Sequence, residues 1–300
     1  MSSTIDLNGV EPLADNQTPS ESQTAELKPK YKTVVLSDIH LGSRWSATKE
    51  ATRFIKQNSC ETLILCGDII DGWAILRGKK QKWKRRHTNF VRAILDIAPT
   101  TKVIYVRGNH DDFLDRVLPM EFLNIQIVDH LIYESFGVKY FVTHGDIFDK
   151  ITTQFGWLSK LGDIGYHMLL NYNKFHNARR IKKGLPYESL ARKVKNKVKA
   201  SVSYISDYEK ELVKIAKDRG CGGVICGHIH HPEIAEYEGI RYLNSGDWVE
   251  SLSALVETHE GEWGLRFHEI PADLVEKLKE LEGHISMDPD VVFPENKEEK

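Results

Sequence analysis

Five apolar runs in this sequence each end in a short polar cluster of Asp, Asn or His residues. In chain order the clusters are SDIH, CGDIID, RGNHDD, THGD and CGHIH. The runs have the length of buried strands, roughly four to eight residues. In an open α/β sheet, ligands bind in the crevice beyond the carboxyl ends of the strands. We therefore expect the five clusters to converge at one edge of a sheet.

The spacing of apolar residues indicates the fold class. Strand-like TVVLS, TLILC and KVIYV are separated by helical spacing at about residues 46–57 and 83–97. This alternation predicts a βαβαβ unit with a parallel sheet, and therefore an α/β fold. The later strand-like runs IQIV, VKYFVTH, GGVIC, RYLNS, LSALVE and GLRFHEI predict a mixed or antiparallel second half.

The remaining segments predict a leader, an insertion and a tail around a domain of residues 31–270. Residues 1–30 are polar and lack the pattern of a signal peptide, so we expect a disordered leader. Residues 152–217 have helical spacing and predict an inserted helical cap. Residues 271–300 predict a helix and a polar tail. The four cysteines form no CxxC pair, which favours reduced thiols and a cytoplasmic protein.

Positive charge is concentrated in two segments, although the net charge is only −2. Residues 151–206 contain 11 Lys or Arg against two acidic residues, and residues 77–86 contain seven basic residues in ten. Such charge on a nearly neutral protein indicates an anionic partner, such as a phosphate or an anionic membrane surface. The alternative interpretation is a solvated helix face or loop.

The donor atoms in the five clusters predict a metal centre. Carboxylate and amide oxygens mixed with imidazoles suit Mn²⁺, Fe or Zn²⁺, whereas a single cluster of this kind would more often be a surface turn. Seven such side chains are too many for one ion, so we expect two divalent ions about 3.5–4 Å apart, most simply Mn²⁺, bridged by a carboxylate. The seven candidate ligands are Asp38, His40, Asp68, Asn109, His144, His228 and His230.

The series DxH, GD, GNHD, H and GHxH resembles the calcineurin-like metallophosphoesterase superfamily, over about residues 33–270. This resemblance implies a four-layer α/β/β/α sandwich with a dinuclear metal centre, to which the chain would add the helical cap. Asp68 would bridge the two metals. The implied ligand sets are Asp38, His40, Asp68 and His230 for one metal, and Asp68, Asn109, His144 and His228 for the other.

Within that superfamily the chain is most similar to the UDP-2,3-diacylglucosamine diphosphatases of lipid A synthesis. The similarity rests on SDIHLG, GDIID with the following Trp73, GNHDDFL, THGD and the basic helical insertion before the last motif. It implies a lipid-linked nucleotide substrate, hydrolysed to lipid X and UMP, and peripheral association with the inner face of the cell membrane. No nucleic-acid partner is expected. Lys195, Asn196 and Lys199 fall within about one helical turn and are candidate substrate contacts, together with Asn109.

His110 and Asp111 are the candidate catalytic residues. The resemblance implies in-line attack on phosphorus by a metal-activated water. For an alkyl phosphoester, His110 oriented by Asp111 would protonate the leaving oxygen. For a diphosphate, His110 need only bind the phosphate, and a third interpretation is that it supports the ligand shell. The diphosphatases often have Arg at this position.

Three classes of function remain open from the sequence. They are the diphosphatase, a general phosphodiesterase, phosphomonoesterase or nuclease that uses a general acid, and a non-enzymatic module that kept the fold. The complete ligand set argues against the last, and the apolar content of the insertion argues against a nuclease. Trp73, Trp83 and Trp157 are predicted to pack in the core or cap. Asn244, Ser245 and Asp247 are predicted to shape the floor of the site from a turn.

Overall fold

The computed structural model describes residues 29–76, 83–148, 176, 180, 199–268, 291 and 292. Lys195 and Asn196, most of the predicted cap and the predicted C-terminal helix lie outside this range, as does the side chain of Lys199. No helix in the described ranges is both long enough and apolar enough to cross a bilayer.

The described residues form thirteen strands and four α-helices. The strands are β1 (Tyr31–Leu36), β2 (Cys60–Cys66), β3 (Lys102–Val106), β4 (Met120–Phe122), β5 (Ile125–Val128), β6 (Leu131–Ser135), β7 (Val138–Val142), β8 (Gly223–Cys226), β9 (Glu233–Tyr237), β10 (Ile240–Asn244), β11 (Ser253–Glu257), β12 (Trp263–Phe267) and β13 (Val291–Val292). The helices are α1 (Thr48–Gln57), α2 (Gly72–Leu76), α3 (Arg85–Ile97) and α4 (Lys199–Asp218), and a 3₁₀ turn spans Asn109–Leu114.

The strands build two mixed sheets. The larger sheet has the order β13-β12-β11-β1-β2-β3-β5-β4, in which β1, β2, β3 and β5 are parallel and the other four are antiparallel additions. The smaller sheet has the order β6-β7-β8-β10-β9, with three parallel strands between two antiparallel edges. The predicted parallel first half and the predicted mixed second half are both confirmed.

Alternate residues of each strand fill different layers of the core, because successive side chains point to opposite faces of a sheet. In β1, Val34 and Leu36 pack with α1 and α3, whereas Val35 packs against the smaller sheet. In β8, Val224 packs with α4 and Ile225 faces the larger sheet. The layers therefore follow the order helix, sheet, sheet, helix, which confirms the predicted four-layer sandwich.

Helix α4 corrects the boundary of the predicted cap. From Ile205 onward it packs on β8 and β10, and Tyr208 and Leu212 are completely buried. An amphipathic helix of this kind presents its apolar stripe to the sheet, so its spacing alone cannot distinguish a cap from a core layer. Residues 205–217 therefore belong to the outer helical layer of the sandwich, and the rest of the predicted cap lies outside the described residues.

Trp83 does not pack in the core; most of the cap against which it could pack lies outside the described residues, as does Trp157. Its side chain is 43% exposed at the start of α3, where its ring meets the edge of His87 at 5.3 Å between centroids. Its Nε1 donates a hydrogen bond to Thr88 Oγ1 at 2.9 Å. The polar edge of the indole is satisfied locally, which leaves its apolar face at the surface.

Candidate metal centre and active site

The seven candidate ligands lie at the carboxyl ends of strands from both sheets. Four of them follow β1, β2 and β3 of the larger sheet, and three follow β7 and β8 of the smaller sheet. Five of the seven have left-handed backbone conformations, with φ between 52° and 69°: Asp38, His40, Asp68, His228 and His230. Non-glycine residues adopt this conformation only where the surrounding structure holds them in it, and such residues concentrate at functional sites.

One group of ligand atoms surrounds Asp38. Its Oδ1 lies 3.3 Å from His230 Nε2 and 3.9 Å from His40 Nε2. His40 Nε2 also lies 3.8 Å from Asp68 Oδ2. Asp38, His40 and His230 can place three ligand atoms within 4.8 Å of one another.

A second group of ligand atoms surrounds His144. Its Nε2 lies 3.4 Å from Asp68 Oδ2 and 3.3 Å from His228 Nδ1. The Asp68 oxygen therefore faces an imidazole nitrogen of each group, His40 in the first and His144 in the second. This central position is the one that a bridging carboxylate would need.

Each of the two carboxylates has one oxygen held by the backbone and one facing the imidazoles. Asp38 Oδ2 accepts a hydrogen bond from the His228 amide at 3.0 Å, and Asp68 Oδ1 accepts one from the His110 amide at 2.8 Å. By contrast, Asp38 Oδ1 and Asn109 Oδ1 are buried and accept no hydrogen bond from the described residues. Buried acceptors without a donor are rare and costly. Divalent cations would satisfy both atoms, so the donor set fits the metals that the sequence predicts.

The buried carboxyl and imidazole side chains of the site shift one another's pKa values. Burial would raise the pKa of Asp38, but the imidazoles of His144 and His230 outweigh it and hold the pKa at about 2. Burial would lower the pKa of His144, but the carboxylates of Asp68 and Asp38 raise it to about 10. The buried carboxylates therefore need a nearby positive charge, which a protonated imidazole or a metal cation can supply.

His110 is oriented by Asp71, and the prediction that Asp111 orients it is wrong. His110 Nδ1 lies 2.9 Å from Asp71 Oδ1, while its Nε2 faces the cluster at 3.9 Å from Asp68 Oδ2. Burial would lower the pKa of His110, but the hydrogen bond to Asp71 and the charge of Asp68 raise it overall. The ring of the half-buried Trp73 lies 4.2 Å from the His110 ring at a tilt of 34°, so Trp73 packs at the site and not in the core.

Asp111 instead ties two ligand loops together. It is completely buried, and it accepts hydrogen bonds from the amides of Ile69 at 3.2 Å, Ile70 at 2.8 Å and Gly108 at 3.1 Å. The Tyr105 hydroxyl donates a fourth at 2.8 Å. Asp111 therefore fixes the loop that carries Asp68 against the turn that carries the GNHD motif.

The predicted floor of the site lies beneath the ligand loops. The side-chain amide of Asn244 donates a hydrogen bond from Nδ2 to the Gly227 carbonyl at 3.0 Å, and the hydroxyl oxygens of Ser245 and Ser37 lie 2.7 Å apart. Asp247 accepts hydrogen bonds from amides of its own turn. In addition, the Trp248 amide donates to the Asp38 carbonyl at 3.1 Å, so this turn also supports the first ligand loop.

Helix α2, which follows the Asp68 loop, and the 3₁₀ turn that contains His110 carry exposed apolar side chains. Leu76 is 80% exposed and Phe113 is 46% exposed, and Phe113 packs at Gly72 close to the His110 carbonyl. The Arg86 guanidinium donates to the Ser43 carbonyl at 3.4 Å. We call Trp73, Ile75, Leu76 and Phe113 the apolar rim.

Comparison with known proteins identifies the family. Residues 31–232 match the profile of the calcineurin-like phosphoesterases. The chain belongs to this family. It is accordingly a metal-dependent phosphoester hydrolase.

Individual proteins to which this chain is similar share little sequence identity with it. A UDP-2,3-diacylglucosamine hydrolase of Aeromonas salmonicida is 24% identical over 244 residues, which cover 75% of this chain and 89% of that protein. Among solved structures, the Escherichia coli phosphoesterase Yfce is 18% identical, with 78% and 86% of the two chains covered and a TM-score of 0.36. An archaeal phosphodiesterase is 15% identical, with 78% and 97% covered and a TM-score of 0.37. The family assignment rests on the profile and not on these structural matches.

Proposed function

We propose that this chain is a dinuclear metal-dependent hydrolase that cleaves the diphosphate of UDP-2,3-diacylglucosamine to lipid X and UMP. The observation that carries the chemistry is the convergence of the candidate ligands between the two sheets, where two buried oxygens accept no hydrogen bond from any residue that the structure describes. The similarity to the Aeromonas salmonicida hydrolase over most of both chains supports the substrate.

The proposed ligands divide between two divalent ions, which we propose are Mn²⁺, with Fe or Zn²⁺ as alternatives. The two sets are Asp38, His40, Asp68 and His230, and Asp68, Asn109, His144 and His228. When bound, such ions lower the pKa of coordinated water and neutralise charge that develops at phosphorus.

The residues around the metal site would bind and orient the phosphate. Because Asp71 engages His110 Nδ1, the Nε2 atom is directed toward Asp68 and the substrate phosphate. A diphosphate releases a phosphate as its leaving group, which departs with little protonation, so the role of His110 in this reaction is to donate a hydrogen bond to the bound phosphate. Trp73 limits the rotation of the His110 ring by packing on its face.

The apolar rim supports a substrate with acyl chains, because Trp73 packs on His110 and the other members expose apolar surface on the same two segments. Nearby cations such as Arg86 suit an anionic headgroup or an anionic membrane surface, to which we propose the enzyme binds peripherally at the inner face of the cell membrane. Lys195, Asn196 and Lys199 remain candidate contacts to the diphosphate or glucosamine end, on the basis of their spacing in the sequence.

The test is to compare turnover of UDP-2,3-diacylglucosamine with turnover of bis(p-nitrophenyl) phosphate by metal-stripped protein supplied with Mn²⁺. We expect a much larger kcat/KM for the lipid nucleotide. The double variant K195A/K199A should lose activity on the lipid nucleotide alone, whereas K214A, which removes an exposed lysine of α4, should lose neither activity. Equal activity of the parent protein on both substrates would refute the substrate assignment while leaving the metal chemistry intact.

A general phosphodiesterase is the second candidate function, and one contact favours it. The Asp71–His110 pair is suited to a general acid, because the carboxylate stabilises the protonated imidazole that would protonate an alkyl leaving oxygen. Efficient hydrolysis of a simple alkyl phosphodiester, lost in the variant H110A, would support this function over the diphosphatase.

A further inference from the structure

We infer that Glu250 is a positioning residue that holds the His230 imidazole in the orientation and tautomer needed to bind metal through Nε2. This inference rests on the proposed role of His230 as a metal ligand. It assigns a task to the GDWVES turn, from which the sequence predicts only a floor for the site.

The two nitrogens of His230 face different surroundings. Nε2 lies 3.3 Å from Asp38 Oδ1, inside the group of candidate ligands. Nδ1 points the other way, 3.7 Å from Glu250 Oε1 and 3.9 Å from Asp247 Oδ1. An imidazole that binds a metal through Nε2 carries its proton on Nδ1, and that proton needs an acceptor.

Of the two carboxyl groups, Glu250 is the one with an oxygen to spare. Asp247 Oδ1 already accepts hydrogen bonds from the amides of Val249 and Glu250. Glu250 is 2% exposed, and its Oε1 is buried without a hydrogen-bond partner among the described residues. A buried acceptor of this kind is costly unless it serves a donor close by. His230 Nδ1 is a donor close to it, at 3.7 Å.

The distance of 3.7 Å is longer than a direct hydrogen bond. A small rotation of the imidazole or one bridging water would complete the contact. A carboxylate and a neutral carboxyl group both present an acceptor oxygen, so the contact is available in either protonation state.

The backbone of His230 adds a reason for a second anchor. Its φ of 54° places the residue in the left-handed region, which is unfavourable for a side-chain-bearing residue. The conformation must therefore be fixed by contacts of the side chain and its loop. Asp38 lies near one ring nitrogen and Glu250 near the other.

The experiment measures Mn²⁺ binding to full-length, metal-stripped protein by isothermal titration calorimetry. The variant E250L removes the acceptor and should weaken Mn²⁺ binding at one site by about 10- to 100-fold. The variant E250Q keeps an acceptor oxygen and should bind within a few-fold of the parent protein. Full Mn²⁺ affinity in folded E250L would overturn the inference.

Glu257 provides the matched controls E257L and E257Q. It is an equally buried glutamate, 1% exposed, that accepts hydrogen bonds from Thr33 and Ser135 at the opposite end of β1 from Asp38. Both Glu257 variants should lower thermal stability and leave Mn²⁺ affinity unchanged. If E250L behaved in the same way, its role would be structural and the inference would fail.

Two further measurements complete the test. Long-range ¹H–¹⁵N spectra of the parent protein loaded with diamagnetic Zn²⁺ should show His230 protonated at Nδ1, and protonation at Nε2 would overturn the inference even if E250L did not fold. The variant H230A separates this inference from the proposed function. If H230A kept full Mn²⁺ affinity, the metal assignment itself would be wrong; if H230A lost affinity and E250L did not, only the role of Glu250 would be refuted.

Discussion

Replacement of Asp111 should destabilise the protein far more than replacement of its neighbour Asp112. Asp111 is completely buried and accepts four hydrogen bonds, three from backbone amides and one from the Tyr105 hydroxyl. Asp112 is exposed, and among the described residues its side chain accepts one hydrogen bond, from Trp73 Nε1 at 3.1 Å. The two residues share a 3₁₀ turn, so the comparison isolates the buried hydrogen bonds from the effects of the local backbone.

The expected losses follow from the donors that each variant leaves unpaired. D111A leaves three buried amides without an acceptor, at about 1–3 kcal/mol each. Water that enters the vacated space would reduce this sum, so we expect a loss of at least about 3 kcal/mol. D111N keeps one acceptor oxygen. If that oxygen serves Ile69 and Gly108, the new NH₂ can donate to the Tyr105 hydroxyl, and only the Ile70 amide is left unpaired, for a loss of about 2 kcal/mol.

The assay is urea unfolding of metal-stripped protein, monitored by circular dichroism, with the free energy of unfolding extrapolated to water. Y105F removes one of the four donors and should cost about 1 kcal/mol. D112A and D112N should lie within about 0.5 kcal/mol of the parent protein. The reasoning is refuted if D111A also lies within about 1 kcal/mol of the parent, or if D111N is as costly as D111A.

Other predictions concern the metal centre and the dependence of stability on pH. D68A should lose both bound metal and turnover, because Asp68 faces the imidazoles of both ligand groups. Elemental analysis measures the metal content. Two metals per chain with a near-normal rate would contradict this prediction. H110A and D71N should reduce activity on aryl phosphoesters by a factor that grows with leaving-group pKa if His110 is a general acid, whereas a uniform loss would assign it to phosphate binding. Burial, with the neighbouring cations, lowers the pKa of His87 to about 4. Between about pH 6.5 and 4 the unfolded chain then binds more protons than the folded protein, so the free energy of unfolding should fall as the pH decreases through this window. In H87Q the free energy of unfolding should depend less steeply on pH over the same range.

The sequence predicted the main strands and the convergence of the candidate ligands because both follow from strong local patterns. Continuous apolar runs such as those of β1 and β2 leave little choice of structure, and a polar cluster at the end of each run locates the site. Strands β4, β6, β9 and β13 were missed, and β13 lies where the sequence predicted a helix and a polar tail. They are two to five residues long, and the residues of β4, β6 and β9 are mostly half-buried or exposed. Pairing with a neighbouring strand defines them, and that information is not local.

The error at Asp111 and the omission of Asp71 have a common cause. Asp111 was expected to orient His110 because the two are adjacent in the sequence. The 3₁₀ segment is kinked at Asp111, however, and the two side chains point in different directions: Asp111 into the loop junction and His110 toward the candidate metal ligands. Asp71 lies 39 residues from His110 along the chain, and only the meeting of two loops brings their side chains together. The second Asp of the GDIID motif was the available signal.

The division of the candidate ligands between two sheets determines what fixes the geometry of the proposed metal centre. Asp38, His40, Asp68 and Asn109 follow strands of the larger sheet, whereas the other three ligands follow strands of the smaller one. Their separation therefore depends on how the sheets pack. The apolar layer between the sheets sets that packing, and at the opposite end of β1 the buried Glu257 joins the sheets through hydrogen bonds with Thr33 and Ser135. Because both sheets must be in place before the ligand groups can meet, neither sheet alone can assemble the proposed dinuclear centre.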